Sequence, residues 1–422
     1  MNSLSKWLKS TSLNLKNSSF SLWVTGISVI GLVACQAPSN THYSLRPLED
    51  IKPEIPNYEE PVIKQATWQN LNESQEMRYQ PKVDIVFLID NSTSMRPVQE
   101  NLARNIDQFV SSLNSLRALD YQIGVMTNWD DYTTTFQSAH PEGPGALRII
   151  PGLERRFFTK SDERMTSRLA QALKVGVMDV KDGGPEHESF LTPLVGMLER
   201  AGRGAPNEGF LRKEAYLAVI LITDADDMSQ NLTPEQVARA LAEFKGDPRQ
   251  VMVYGVLTRA EDRDDQKDPG LRKTPRYHPE CFVSVGNSWK DNGLCPKAFG
   301  PSRLESLLLH ANAYLGNKQS IWSRRWFHIH SRDFGRNLTR VSEDIVVSSS
   351  HKEWILPSRP AVDKTKGEIQ IRVNYRSVNQ TLSVPFDYLP ETNKVMVRSL
   401  PQSVRSLPAG EFMIEWLPVV DE

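Results

Sequence analysis

Two stretches of this chain run an almost unbroken apolar strand straight into acidic side chains: VDIVFLIDNSTSM at residues 83–95 and AYLAVILITDADDMS at residues 215–229. A strand that is apolar at consecutive positions has no wet face, so it belongs inside a parallel sheet covered on both sides. Asp84 is the one interruption in the first strand. Whatever follows such a strand lies on the carboxyl edge of the sheet, where open α/β sheets keep their ligand sites. Asp90 after the first strand and Asp224 after the second are therefore expected at the same edge.

The intervening and following segments alternate between helix and strand. Val98, Leu102, Ile106, Phe109, Val110 and Leu113 recur at helical spacing behind Pro97, which suits a first helical turn. YQIGVMTNW reads as a strand, with ALRIIPG and RRFFTK as neighbours; ESFLTPLVGMLERA reads as a helix. TPEQVARALAEF is amphipathic, with Thr233 as cap and Pro234 in the first turn. VMVYGVL is a strand, PSRLESLLLHANAYL a helix, WFHIH a strand and DFGRNLTRVSEDIV a closing helix. Such repeated units give an α/β fold, a parallel sheet flanked by helices, expected over residues 81–350 with an insertion at about 260–300. From residue 351 the pattern changes: Ile369, Ile371, Val373 and Tyr375 alternate with polar residues, and SVPFDY, KVMVRSL and EFMIEWLPV follow. A small all-β, sandwich-like domain is expected over 351–422.

At the other end, Lys6, Lys9 and Lys16 precede FSLWVTGISVIGLVAC, an apolar run shorter than the ~20 residues a membrane-spanning helix needs, and so read as an export signal. Its end, Leu32-Val33-Ala34-Cys35, resembles the lipobox of bacterial lipoproteins. The resemblance implies lipidation of Cys35, a signal peptide over 1–35 and a cell-envelope location; Gln36 in place of Asp implies the outer membrane where there is one. Residues 36–80, rich in Pro, Asn, Glu and Ser, read as a tether. Cys281 and Cys295 are the two remaining cysteines; in an exported chain such a pair reads as a disulfide, worth about 3 kcal/mol for a loop of ~15 residues. Lys+Arg total 50 against 51 Asp+Glu, and so balanced a chain offers no field that would gather nucleic acid.

Asp90-x-Ser92-x-Ser94 behind a buried strand, with LITDADD closing a later one, resembles the von Willebrand factor type A (vWA) domain and its metal-ion-dependent adhesion site, over roughly residues 81–347. GFLRKEAYLAVILITDADDMS is similar to a subgroup in bacterial envelope lipoproteins where the phrase reads TDEDDCS and a small β domain follows; here Ala225 and Met228 stand for the Glu and Cys. The resemblance implies a Rossmann-like sheet and a divalent cation, Mg²⁺ or else Mn²⁺ or Ca²⁺. Mg²⁺ demands octahedral oxygen at ~2.0–2.1 Å. Ser92 and Ser94 would supply neutral oxygens, and Asp90 and Asp224 charge, directly or through water. With few direct carboxylates the ion stays electrophilic enough to take an Asp or Glu from a partner. The family's fourth ligand, a threonine in a Gly-rich turn, has no counterpart in DGGPEHESFLTP; Glu188, Ser189 and Thr192 are the candidates, Glu188 matching a glutamate of the subgroup.

Other readings of these residues stay open. Asp90, Ser92 and Ser94 also suit a plain helix cap. His328 and His330 share a strand face without a third ligand, EDRDDQKD at 261–268 lacks the glycine and glutamate of an EF-hand loop, and DDYTTT near residue 130 is placed to rim the site. No G-x-S-x-G, H-E-x-x-H or P-loop occurs, and no base stands near Ser92 or Ser94 to activate them. The expected function is a non-enzymatic, lipid-anchored binding or adhesion protein whose partner, protein or glycan, presents a carboxylate. The alternatives are an assembly component of an envelope complex with a degenerate metal site and, third, a hydrolase with an unrecognised site.

Overall fold

The computed structural model describes residues 67–71, 77–182, 184–257, 282–285, 288–291, 302–329, 331, 334–363 and 365–419. Cys35, Cys281, Cys295, His330, the 261–268 stretch and most of the 260–300 insertion lie outside them. Among the described residues no helix is long and apolar enough to cross a membrane.

In chain order the elements are β1 (Gln69–Asn70), β2 (Arg78–Tyr79), β3 (Lys82–Ile89), α1 (Arg96–Asn114), β4 (Asp120–Thr127), α2 (Thr134–Ala139), β5 (Phe157–Thr159), α3 (Met165–Ala172), α4 (Leu191–Glu199), β6 (Tyr216–Ile222), α5 (Pro234–Lys245) and β7 (Val251–Leu257). A two-stranded antiparallel ladder inside the insertion, β8 (Phe282–Val285) and β9 (Ser288–Asp291), precedes α6 (Ser302–Ala311), α7 (Lys318–Arg325), β10 (Trp326–His328) and α8 (Phe334–Ser350).

The main sheet has the order β10-β7-β6-β3-β4-β5, and every pairing is parallel except that of β5 with β4. RRFFTK thus supplies an antiparallel edge strand, whereas ALRIIPG is not a strand and touches β4 through one backbone bond, Arg148 N to Val125 O at 2.8 Å. The chain builds outward from β3 through β4 to β5, then returns to the other side of β3 to lay down β6, β7 and β10. The direction of winding reverses between β3 and β6, which makes that gap the topological switch point of the sheet. Both strands are buried along almost their whole length, as their unbroken apolar sequence requires. Val83, Ile85, Phe87 and Ile89 join Leu102, Ile106, Phe109 of α1 and Leu338, Val341 of α8 in one core; Val86 and Leu88 point the opposite way because the pleat alternates. α4, α5 and α6 pack together as a second helical layer. The start of α5 is a capping box, Thr233 Oγ1 accepting from Gln236 N at 3.2 Å and Gln236 Oε1 from Thr233 N at 2.9 Å.

The C-terminal region is antiparallel: β11 (Lys352–Ile355), β12 (Val362–Asp363), β13 (Glu368–Ile369), β14 (Ile371–Ser377), β15 (Gln380–Ser383), β16 (Asp387–Leu389), β17 (Lys394–Val397), a short helix α9 (Gln402–Arg405) and β18 (Gly410–Trp416). One sheet runs β1-β18-β14-β15 with β2 also on β18, a second runs β11-β17-β16, and β12 pairs with β13. Two expectations need correction. The tether does not extend to residue 80, because Tyr79 is buried edge-on against Tyr375 and Phe412, at 5.7 and 5.2 Å between ring centres, and draws β2 into the sheet. Nor do residues 351–418 form a domain of their own: residues 67–418 are one compact unit, with Trp354, Phe412 and Trp416 continuous with the core beneath β3. The contact lies toward the amino ends of the parallel strands, where Arg117 N donates to Arg405 O at 2.8 Å and Arg249 meets Glu353 at 3.2 Å.

Asp84, the polar interruption in β3, is fully buried. Its carboxylate accepts from Arg212 N and Arg212 Nε, both at 2.8 Å, and from Lys245 Nζ at 3.4 Å. Burial outweighs both cations, so the Asp84 carboxyl sits above its ordinary range and the Lys245 ammonium below. Asp84→Ala, which strands a buried Lys245, is expected to lose about 3–5 kcal/mol in urea unfolding, and Asp84→Leu combined with Lys245→Met to lose less than the single change.

Candidate metal centre

Each residue of the D-x-S-x-S motif is set by the turn leaving β3. Asp90 is fully buried, and its Oδ1 accepts from Ser92 N at 2.7 Å, folding the chain back so that the Ser92 and Ser94 hydroxyls lie 3.1 Å apart. Across the switch point, Ser94 Oγ donates to Asp224 Oδ1 at 3.2 Å. Asp90 Oδ2 accepts from the Thr223 hydroxyl at 2.7 Å, and Asn128 Nδ2, just beyond β4, reaches Asp90 Oδ1 at 3.4 Å. Asp90, Ser92, Ser94 and Asp224 thus form one connected cluster at the carboxyl edge. Thr223 and Asn128 complete it; both stand directly after a strand, and that position was the only sequence signal for them.

The electrostatics of the cluster are those of acids forced together. Burial, then the neighbouring Asp224, push the Asp90 carboxyl up to about 7. The Glu188 carboxyl, although the residue keeps some exposed surface, is raised well above the ordinary range by burial and then by Asp90, Asp224 and Asp130. Glu188 therefore stands close enough to the cluster to feel its acids, its backbone carbonyl accepting from Met228 N at 2.9 Å. Ser189 is fully buried and its backbone exchanges hydrogen bonds with Trp129 at 2.9 and 2.8 Å. Thr192 turns elsewhere, its hydroxyl donating to Asp131 Oδ2 at 2.5 Å.

The remaining acids of the edge have structural duties. Asp226 accepts from Arg303 N at 3.1 Å and Leu304 N at 3.2 Å, capping α6; burial nevertheless pushes its carboxyl up to about 8. Asp227 accepts from Phe190 N at 2.7 Å and Leu191 N at 2.9 Å, capping α4, and pairs with Arg303 Nε at 3.0 Å. In the DDYTTT turn, Asp130 accepts from Tyr132 N, Thr133 N and Glu186 N at 2.8, 2.9 and 2.9 Å. Burial pushes that carboxyl up, but hydrogen bonds with His187, Tyr132, Thr133 and Glu186 outweigh it and hold the group well below the usual carboxylate range. His328 lies far along the sheet in β10, beside the Trp326 ring at 6.0 Å.

Neighbouring oxygens around an octahedral cation at ~2.1 Å are spaced about 3 Å apart, and the Ser92–Ser94 and Ser94–Asp224 separations of 3.1 and 3.2 Å fit such an edge. A divalent ion would also offset the burial and the mutual repulsion that push the Asp90 and Glu188 carboxyls up. Among the described residues no group of three or more His, Cys, Asp or Glu side chains is arranged to hold a metal; the donor set here is mixed, hydroxyls with carboxylates.

No family model matches the chain, and no curated protein matches it. Among solved structures it is similar to proximal thread matrix protein 1 from the mussel byssus, at 12% identity over 66% of this chain and 50% of that one with a TM-score of 0.34. The pilus adhesin SpaC from Lactobacillus rhamnosus GG, in its open conformation, aligns at 10% identity over 83% and 40% with a TM-score of 0.32. The chain thus spans about half the length of the first and less of the second. Both likenesses are too distant to bear on the site.

Raised carboxyls bind protons more tightly folded than unfolded, so Asp90 and Asp226 contribute stability that is complete below pH ~4 and lost as pH rises through about 7 and about 8. Asp130, depressed, contributes above pH ~4 and loses it as pH falls below. In chelator the melting temperature is expected to fall between pH 5 and 8.5, and Asp90→Asn to flatten the lower part of that slope; a flat wild-type profile would contradict the assignment.

Proposed function

We propose that the chain is a non-enzymatic, lipid-anchored binding protein of the bacterial cell envelope, with a vWA-type domain that uses a divalent cation to take a carboxylate from a protein or glycan partner. The observation that carries this reading is the hydrogen-bonded set Ser92–Ser94–Asp224 anchored by Asp90 at the switch point of the sheet. The strand order, with one antiparallel edge strand, supports the vWA-type fold. In this reading Ser92 and Ser94 hold Mg²⁺, Mn²⁺ or Ca²⁺ through neutral oxygens, and Asp90 and Asp224 supply the charge. The ion supplies an electrophilic position for the partner's acid. Cys35 carries the lipid, and the membrane is the outer one where the cell has two.

A second reading, an assembly component whose metal site has degenerated, is favoured by two observations. The Thr192 hydroxyl is taken by Asp131, and Glu188 brings an additional acid to the cluster, which would saturate a cation's appetite for external carboxylate.

Calorimetric titration of the protein with Mg²⁺, Mn²⁺ and Ca²⁺ separates the two. One-to-one binding that Asp90→Ala abolishes, and that strengthens as pH rises through about 7 as Asp90 sheds its proton, is expected from a working site. Heat from the wild type that persists unchanged in Asp90→Ala, or no binding at all, would leave the assembly reading.

A further inference from the structure

A cleft of about 510 Å³ lies along β10, the edge strand of the parallel sheet, with β7 and β6 between it and the strand that leads into Asp90. Its walls are two helix faces. Gln319, Trp322 and Ser323 stand at i, i+3 and i+4 on α7, and Asn337 and Arg340 at i and i+3 on α8, so each set shares one side of its helix. β10 itself supplies Trp326 and His328, their ring centres 6.0 Å apart. The two walls are tied together from within the protein: the Arg340 guanidinium lies over the Phe327 ring at 5.1 Å, and its Nη2 donates to Ser323 O at 3.0 Å. The cleft therefore needs no ligand to form it.

The groups that face it can be reached from solvent. Trp322, Trp326, His328 and Asn337 are half-buried, and Gln319 and Arg340 are exposed. Lys318 Nζ sits 5.2 Å from the centre of the Trp322 ring and does not line the cleft, so the indole turns its other side to it. Among the described residues the Gln319 and Asn337 carboxamides have no hydrogen-bond partner, and Arg340 forms an ion pair with no carboxylate. Glu305 lines the same cleft, which gives the lining a charge of each sign.

These surfaces narrow the choice of occupant. With Arg340 and Glu305 opposed, no net charge selects an ion. The accessible lining is mostly polar, so a flat aromatic body or an aliphatic side chain would strip water from the two carboxamides without bonding them. A pyranose ring meets both kinds of surface. Its C–H face lies against an indole, and its hydroxyls, each donor and acceptor, match carboxamides that are also both. Arg340 keeps further N–H donors for a hydroxyl or ring oxygen, since one alone is spent on Ser323 O.

We propose that the cleft between α7, β10 and α8 binds a pyranose unit of a glycan, at a site separate from the candidate metal centre and independent of any cation. The test uses the full-length protein and saturation-transfer NMR titrations, in Mg²⁺ and in chelator, with methyl β-glucoside, methyl β-galactoside and methyl β-N-acetylglucosaminide as probes. Three further compounds each keep part of the match: sorbitol has the hydroxyls without a ring face, adenine a flat face without hydroxyls, and acetyl-Ser-Asn-amide the polar groups of a peptide. At least one methyl pyranoside is expected to bind, alike in Mg²⁺ and chelator, and roughly tenfold tighter than each of the three. Trp322→Ala should weaken that binding roughly tenfold. Gln319→Ala, at an exposed helix position where truncation leaves folding intact, should weaken it roughly fivefold. Binding of no pyranoside, sorbitol binding as tightly as the best of them, or tighter binding of adenine or the peptide overturns the proposal. So does pyranoside binding that both variants leave unchanged, or that chelator abolishes.

Discussion

The Asp90 carboxyl accepts hydrogen bonds from the turn after its own strand, from Asn128 beyond β4 and from Thr223 beyond β6, so a single buried acid ties together three neighbouring strand ends. The arrangement costs something, since burial and then the neighbouring Asp224 push the same carboxyl up. Natural folds tolerate such conflict where a site needs it, and the surrounding parallel sheet, buried on both faces, is rigid enough to hold the groups in place.

The acidic run after β6 shows how adjacent, similar residues part company. Asp224 faces the serines, Asp226 turns to the amides opening α6, and Asp227 to those opening α4. An acid at a helix start satisfies orphan N–H groups and the helix dipole together. One short loop thus locks two helices of the same layer to the strand that carries the site. Arg303, paired with Asp227 and donating to Leu232 O at 2.7 Å, closes the loop from the outside.

Much of this was legible in the sequence, for reasons that can be named. Asp90, Ser92 and Ser94 lie within one turn, and a strand buried on both faces announces itself by its unbroken apolar run, so the edge they occupy follows from topology alone. Asp224 was legible because the same pattern recurs at β6. The duties of Asp226 and Asp227 were not, because which helix start lies within reach of a carboxylate is decided by packing between segments far apart in the chain. Glu188, Ser189 and Thr192 were all candidates in the sequence, with Glu188 favoured by its match to the subgroup glutamate; the fold sends the Thr192 hydroxyl toward Asp131 and leaves Glu188 with the acids. β1 and β2 are two residues each, too short to show any period, and so passed for tether. The alternation of Ile371, Val373 and Tyr375 was plain, but nothing local reveals that their sheet shares a core with the α/β layers.

The pairing of Gln69 with Trp416 and of Asn70 with Glu415 sets the two ends of the described fold on adjacent strands, about 5 Å apart as antiparallel neighbours are. Entry and exit therefore share a doorway on the C-terminal antiparallel sheet. Splicing this unit into another chain, or hanging it from a surface by either end, would leave the carboxyl edge of the parallel sheet facing the same way.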